Sequence, residues 1–66
     1  MQVIVNGNLT EAPDTATVLE LLEQLGLGAE TVVVQCNDGI VERERFAATP
    51  LAEGDAVEIV RLVGGG

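Results

Sequence analysis

"TVLELLEQLGLG", residues 17–28, is the stretch on which the fold turns. Val18, Leu21, Leu22 and Leu25 recur at helical spacing and form one apolar stripe, with Leu19 at its margin and Glu20, Glu23 and Gln24 facing water. Thr17 is a suitable N-cap, and Glu20 three residues on completes a capping box. Gly26 is placed to stop the helix in the left-handed conformation. Nothing else in the chain has this period, so the sequence predicts one helix. A single amphipathic helix must bury its stripe against a sheet.

The rest of the chain supplies the strands. Before the helix, "QVIVNGNLTEA" reads as a hairpin: Gln2 to Val5 out, Asn6-Gly7 as the turn, Asn8 to Glu11 back, with Pro13 closing the unit. After it, "TVVVQCN" is β-branched and short. Its alternation puts Val32, Val34 and Cys36 on one face and Val33 with Gln35 on the other. Asp38-Gly39 reads as a turn, and Ile40 to Glu42 as a brief extended piece. "RERFAATPLAEGD" reads as irregular, with turns at Pro50 and Gly54-Asp55. The last strand, "AVEIVRLV", places Val57 and Ile59 on one face and Glu58, Val60 and Leu62 on the other. The expected architecture is α+β: a mixed sheet of four to five strands with one covering helix, its first and last strands parallel at the centre. Residues 1–63 form the domain and 64–66 a flexible glycine tail.

Composition narrows the function. The chain has 66 residues, one cysteine, no histidine and a single aromatic residue, Phe46. A domain this small buries only about 60% of the surface its unfolded chain exposes. With Cys36 alone, no internal disulfide can staple it, and the usual zinc patterns are absent. An unpaired thiol suits a reducing cytoplasm. The N-terminal residues lack the basic region and apolar run of a signal peptide, and Ala56 to Val63 is too short to span a bilayer. Net charge is −8, from eleven carboxylates against three arginines. That balance repels phosphate backbones and anionic lipid, which disfavours nucleic acid and membrane as partners. It serves solubility and attraction to a basic protein equally well.

Side-chain catalysis is poorly supplied. The chain has no histidine, lysine or tyrosine to act as a base near neutral pH. No two carboxylates are singled out by spacing. Cys36 shares its parity with Val32 and Val34, which assigns it to the core as a small hydrophobe. Gly26-x-Gly28 follows a helix rather than a strand, unlike a phosphate loop. What remains is the end, Gly64-Gly65-Gly66. A terminal glycine carboxylate is unhindered, and a glycine stem is slim enough to thread a channel in another protein. Joined to AMP, that carboxylate becomes an acyl donor from which sulfur can displace the nucleotide. Composition alone leaves this open against a frayed end or a cloning remnant.

The chain resembles the ThiS family, the sulfur carriers of thiamine (thiazole) biosynthesis within the ubiquitin-like β-grasp group. The likeness rests on "VIVNG" (3–7), "TVLELLEQLGL" (17–27), "VVVQCNDGIVER" (32–43) and "TPLAEGDAVEIVRLVGGG" (49–66). It departs at Phe46, where the family often has tryptophan, and at Cys36 and Asp38-Gly39, where valine and Gly-Glu are common. The resemblance implies that a ThiF-like, E1-type adenylyltransferase activates the Gly66 carboxylate, with Gly65 and Gly64 as its stem. Sulfur then converts it to a thiocarboxylate that feeds a ThiG-like thiazole synthase. The chain itself is then no enzyme and binds no cofactor or metal, ATP and magnesium belonging to the activating partner, and it is a monomer when alone. The same tail occurs in the small subunit of molybdopterin synthase, in other thiocarboxylate carriers and in ubiquitin-like modifiers. The residues add a docking surface. A helix on one face leaves Ile4, Val33, Val60 and Leu62 on the other as an expected apolar platform. Glu53, Asp55 and Glu58 would steer it toward a basic rim.

Overall fold

The computed structural model describes residues 1–62; Val63 and the expected Gly64–Gly66 tail lie outside the described residues. The elements are β1 (Gln2–Val5), β2 (Asn8–Glu11), α1 (Val18–Gln24), β3 (Val32–Cys36), β4 (Gly39–Val41) and β5 (Ala56–Arg61), with 3₁₀ turns at Ala29–Thr31 and Arg43–Ala48. The five strands form one sheet in the order β2-β1-β5-β3-β4. β1 and β5 are parallel, and every other pair is antiparallel. The mixed sheet and single helix expected from the sequence are therefore present.

Two asparagines explain how β5 is seated. Asn6 and Gly7 both have positive φ, 49° and 85°, as a two-residue hairpin turn requires. The Asn6 side chain then reaches β5: its Nδ2 donates to Ile59 O at 3.2 Å, and Ile59 N donates to its Oδ1 at 2.8 Å. A side-chain amide thus continues the ladder that the Asn6 N–H to Val57 O bond begins. Asn37, φ 49°, does the same in the second hairpin. Its N–H donates to Ala56 O, and its Oδ1 accepts from Ala56 N at 3.0 Å.

The second hairpin differs from the expectation by one residue. Cys36 pairs with Gly39, so the turn is Asn37-Asp38 and Gly39 opens β4. The αL positions belong to Asn37 and Asp38, whose short polar side chains tolerate them.

The helix starts as expected. Thr17 and Glu20 form both bonds of the capping box, with Glu20 N to Thr17 Oγ1 at 3.2 Å and Thr17 N to Glu20 Oε1 at 2.9 Å. It ends one residue short of Leu25. Gly26, φ 74°, donates to Glu23 O, and Leu27 N donates to Leu22 O, the paired bonds of a Schellman stop. Leu25 therefore leaves the expected stripe and is 38% exposed.

Val18, Leu21 and Leu22 are fully buried against Val3, Val34 and Val57 of the sheet. The segment expected to be irregular contributes too. Phe46 projects from the 3₁₀ turn into the core, and Leu51 joins it, held by the Leu51 N to Ala16 O bond. Replacing Leu21 by Ala is expected to cost about 2–5 kcal/mol, since a buried leucine leaves a cavity. Asn6→Ala, which loses two hydrogen bonds and puts a Cβ residue without a local polar bond at positive φ, should cost about 1–3 kcal/mol. Urea unfolding monitored by circular dichroism measures both.

Candidate functional site

Strand register assigns each expected platform residue to a place on the sheet face away from α1. Val33 lies directly across from Val60, and both are exposed, at 37% and 60%. The Leu62 N–H to Thr31 O bond, 2.8 Å, carries the same ladder one residue past β5. Leu62, 51% exposed, thereby lines up behind Val60 on the same face. These three residues form a contiguous apolar patch at the end of β5 from which the chain continues to Gly66.

Ile4 does not belong to that patch. It is aligned with Ala56, four residues before Val60, which puts it about 13 Å away along the sheet. Glu58 and its partner Gln35 form a polar row between the two. Ile4 is also half-buried and packs beside Leu9 on β2, which is 70% exposed. The expected single platform is thus two apolar areas separated by a polar stripe. Leu9 and Ile40 are exposed apolar side chains that strand alternation alone does not reveal. Leu9 was within reach, because an Asn6-Gly7 turn fixes Val5 opposite Asn8 and hence Ile4 opposite Leu9. Ile40, 65% exposed and opposite Gln35, was hidden by the misplaced second turn.

The three acids expected to steer a partner divide as well. Asp55 is engaged locally: its Oδ2 accepts from Ala52 N at 2.8 Å and its Oδ1 from Asn37 Nδ2 at 3.0 Å. Glu53 Oε1 accepts from the Gln2 N–H at 3.0 Å. Only Glu58 stands on the outer face beside the patch. The first two therefore hold the Ala52–Asp55 turn against its neighbours, although their charge still adds to the acidic field.

Cys36 is at the edge of the core rather than inside it. It is half-buried, and its Sγ lies 3.9 Å from Asp55 Oδ2. Burial raises the thiol pKa above its ordinary value, and the neighbouring Asp55 charge raises it further. A thiol held protonated is a poor nucleophile. Among the described residues no three His, Cys, Asp or Glu side chains gather in a metal-holding group. Within the same residues no helix is long and apolar enough to cross a membrane. Iodoacetamide should alkylate Cys36 more slowly than free cysteine between pH 7 and 9. Asp55→Asn should speed the reaction, because removing the carboxylate lowers the thiol pKa; intact mass against time reads both.

Comparison with known proteins places this geometry. A model of the ThiS family matches residues 3–66. The sulfur carrier protein ThiS of Escherichia coli K12 is 32% identical over 66 residues, covering all of both chains. The thiazole synthase of Paramagnetospirillum magneticum is 35% identical over all 66 residues of this chain, which spans only 20% of that longer protein. Among solved structures, the crystal structure of the thiamine biosynthesis protein ThiS from Geobacter metallireducens superposes with a TM-score of 0.84, at 40% identity and full coverage of both chains. The five-strand mixed sheet, its single covering helix and the match along almost the whole sequence make the chain a member of the ThiS family, with the ubiquitin-like β-grasp fold.

Proposed function

We propose that the chain is a sulfur carrier of thiamine biosynthesis and works in the cytoplasm as a protein substrate rather than an enzyme. The observation that carries this reading is the ThiS family match over residues 3–66. The chemistry is assigned to the Gly66 carboxylate, with Gly65 and Gly64 as its stem. A carboxylate oxygen attacks the α-phosphate of ATP, expelling pyrophosphate and forming an acyl adenylate. A hydrosulfide-level sulfur then adds to the acyl carbon and expels AMP, leaving a thiocarboxylate. ATP and magnesium are held by a ThiF-like adenylyltransferase. The carrier contributes no base and no metal ligand; it contributes recognition and reach.

Recognition is assigned to Val33, Val60 and Leu62, because this patch sits where β5 leads into the terminal glycines. A docked partner covering these side chains would hold the start of the tail at its own surface. A ThiG-like thiazole synthase is the proposed sulfur acceptor. The thiazole synthase relative that contains a segment similar to this whole chain supports that pairing. Glu58 beside the patch would favour a basic rim on the partner.

Incubation with ATP and the cognate adenylyltransferase should add the mass of AMP, and a sulfur donor should then exchange one oxygen for sulfur; intact mass spectrometry reads both steps. Failure to gain either mass overturns the proposal. Removing Gly65 and Gly66 should abolish both changes while the far-ultraviolet circular dichroism stays the same. Leu62→Glu should leave a folded chain yet weaken binding to the partner by about tenfold or more, roughly 1.4 kcal/mol, in a calorimetric titration.

A further inference from the structure

The opposite face of the same strand end has a different chemistry. Alternation along β5 sends Val60 and Leu62 outward and Arg61 to the helix side. There Arg61 helps line an open groove of about 390 Å³. Val5, Leu25, Leu27 and Ile59 form its apolar walls, and Asn8 and Thr10 stand at its β2 side. The groove lies beside the C-terminal end of α1. Leu25 and Leu27 flank the Schellman turn; Leu25 is exposed, and Leu27 is half-buried and packs against the core.

Charge sets this groove apart from the rest of the molecule. The chain has eleven Asp and Glu side chains, yet among the described residues none lines the groove, and its one charged side chain is Arg61. Only two other cations occur among the side chains, Arg43 and Arg45, both in the 3₁₀ turn Arg43–Ala48 and neither lining the groove. Arg61 is exposed, so its guanidinium is open to a partner's carboxylate, which its planar donor fork can bind with two parallel hydrogen bonds.

We propose that this groove is a second docking surface, taking an extended segment of a partner protein that sets apolar side chains on Leu25 and Leu27 and a carboxylate on Arg61. The inference rests on the sulfur-carrier reading and deepens it by naming a further determinant of partner binding. A partner would then grip the end of β5 from both sides, with an apolar surface on Val60 and Leu62 and an acidic segment on Arg61. A second copy of this chain is the poorer occupant, because two molecules of net charge −8 repel. Nucleic acid is opposed by the same charge.

The test is a calorimetric titration of the full chain with the cognate adenylyltransferase and with the cognate thiazole synthase, at low and at moderate salt. Wild type, Arg61→Lys, Arg61→Gln and Arg61→Glu are compared. Arg61 is exposed, and circular dichroism checks that each variant is folded. For at least one enzyme, Arg61→Glu should weaken binding fivefold or more, Arg61→Gln should fall between it and wild type, and Arg61→Lys should stay closest to wild type. The gap should narrow as salt rises. Should Arg61→Glu not fold, a fivefold loss for Arg61→Gln is the deciding measurement. A loss below fivefold for both enzymes overturns the inference and leaves the carrier reading intact. A wild-type chain that binds neither enzyme overturns both. Sedimentation of the chain alone provides one more check: a dimer that Arg61→Glu dissociates gives the groove to a second copy and overturns the acidic-segment assignment.

Discussion

The seating of β5 between β1 and β3 is the constraint on which the rest of the structure depends. β5 comes last in sequence and lies at the middle of the sheet, so every other strand is placed relative to it. Two hairpins made earlier in the chain have to receive it in one register, parallel on one side and antiparallel on the other. Parallel pairing has no turn of its own to fix register. Here the turn asparagines fix it. Asn6 binds both polar backbone groups of Ile59, and Asn37 binds both of Ala56. Each residue that permits its hairpin to turn also holds the strand that arrives afterwards. A one-residue slip would turn Val57 and Ile59 outward and bury Glu58, so core and clamps enforce the same answer.

That register also sets which apolar side chains stand together on the exposed faces. One seven-residue helix covers one face of the sheet, and its capping box and Schellman stop limit it to that length. The uncovered face keeps Val33, Val60 and Leu62 together at one end, with Glu58 and Gln35 separating them from Ile4 and Leu9. On the covered face, the groove beside Arg61 lies at the C-terminal end of α1. Both surfaces meet at the last residues of β5.

The core is small and shared among distant segments. Phe46 and Leu51 belong to a stretch with no helical or strand period, yet both are buried. The Val18 N to Thr49 O and Leu51 N to Ala16 O bonds tie that stretch to the start of α1. The connection before β5 therefore closes one end of the sandwich between helix and sheet. Cys36 lies beside Asp55 at the edge of this packing, where burial and the Asp55 charge raise its thiol pKa.

The sequence by itself determined the elements whose signals are local. The α1 stripe and capping box, the Asn6-Gly7 turn, and the alternation of β3 and β5 depend on residues within a few positions of one another. The family likeness, carried by motifs along the whole chain, was legible for the same reason. Only the tertiary structure decided what depends on partners far away in sequence. Pattern alone gave no means of seeing that Phe46 fills the core, that Asp55 and Glu53 hold backbone N–H groups, or that Asn37-Asp38 forms the second turn. Strand alternation correctly assigned Ile4, Val33, Val60 and Leu62 to one face but said nothing of their spacing along it. That spacing is set by strand register, a relation between segments about 50 residues apart, and it divided the expected platform. Parity is a property of one strand; a surface belongs to several, and only their pairing brings its residues together or holds them apart.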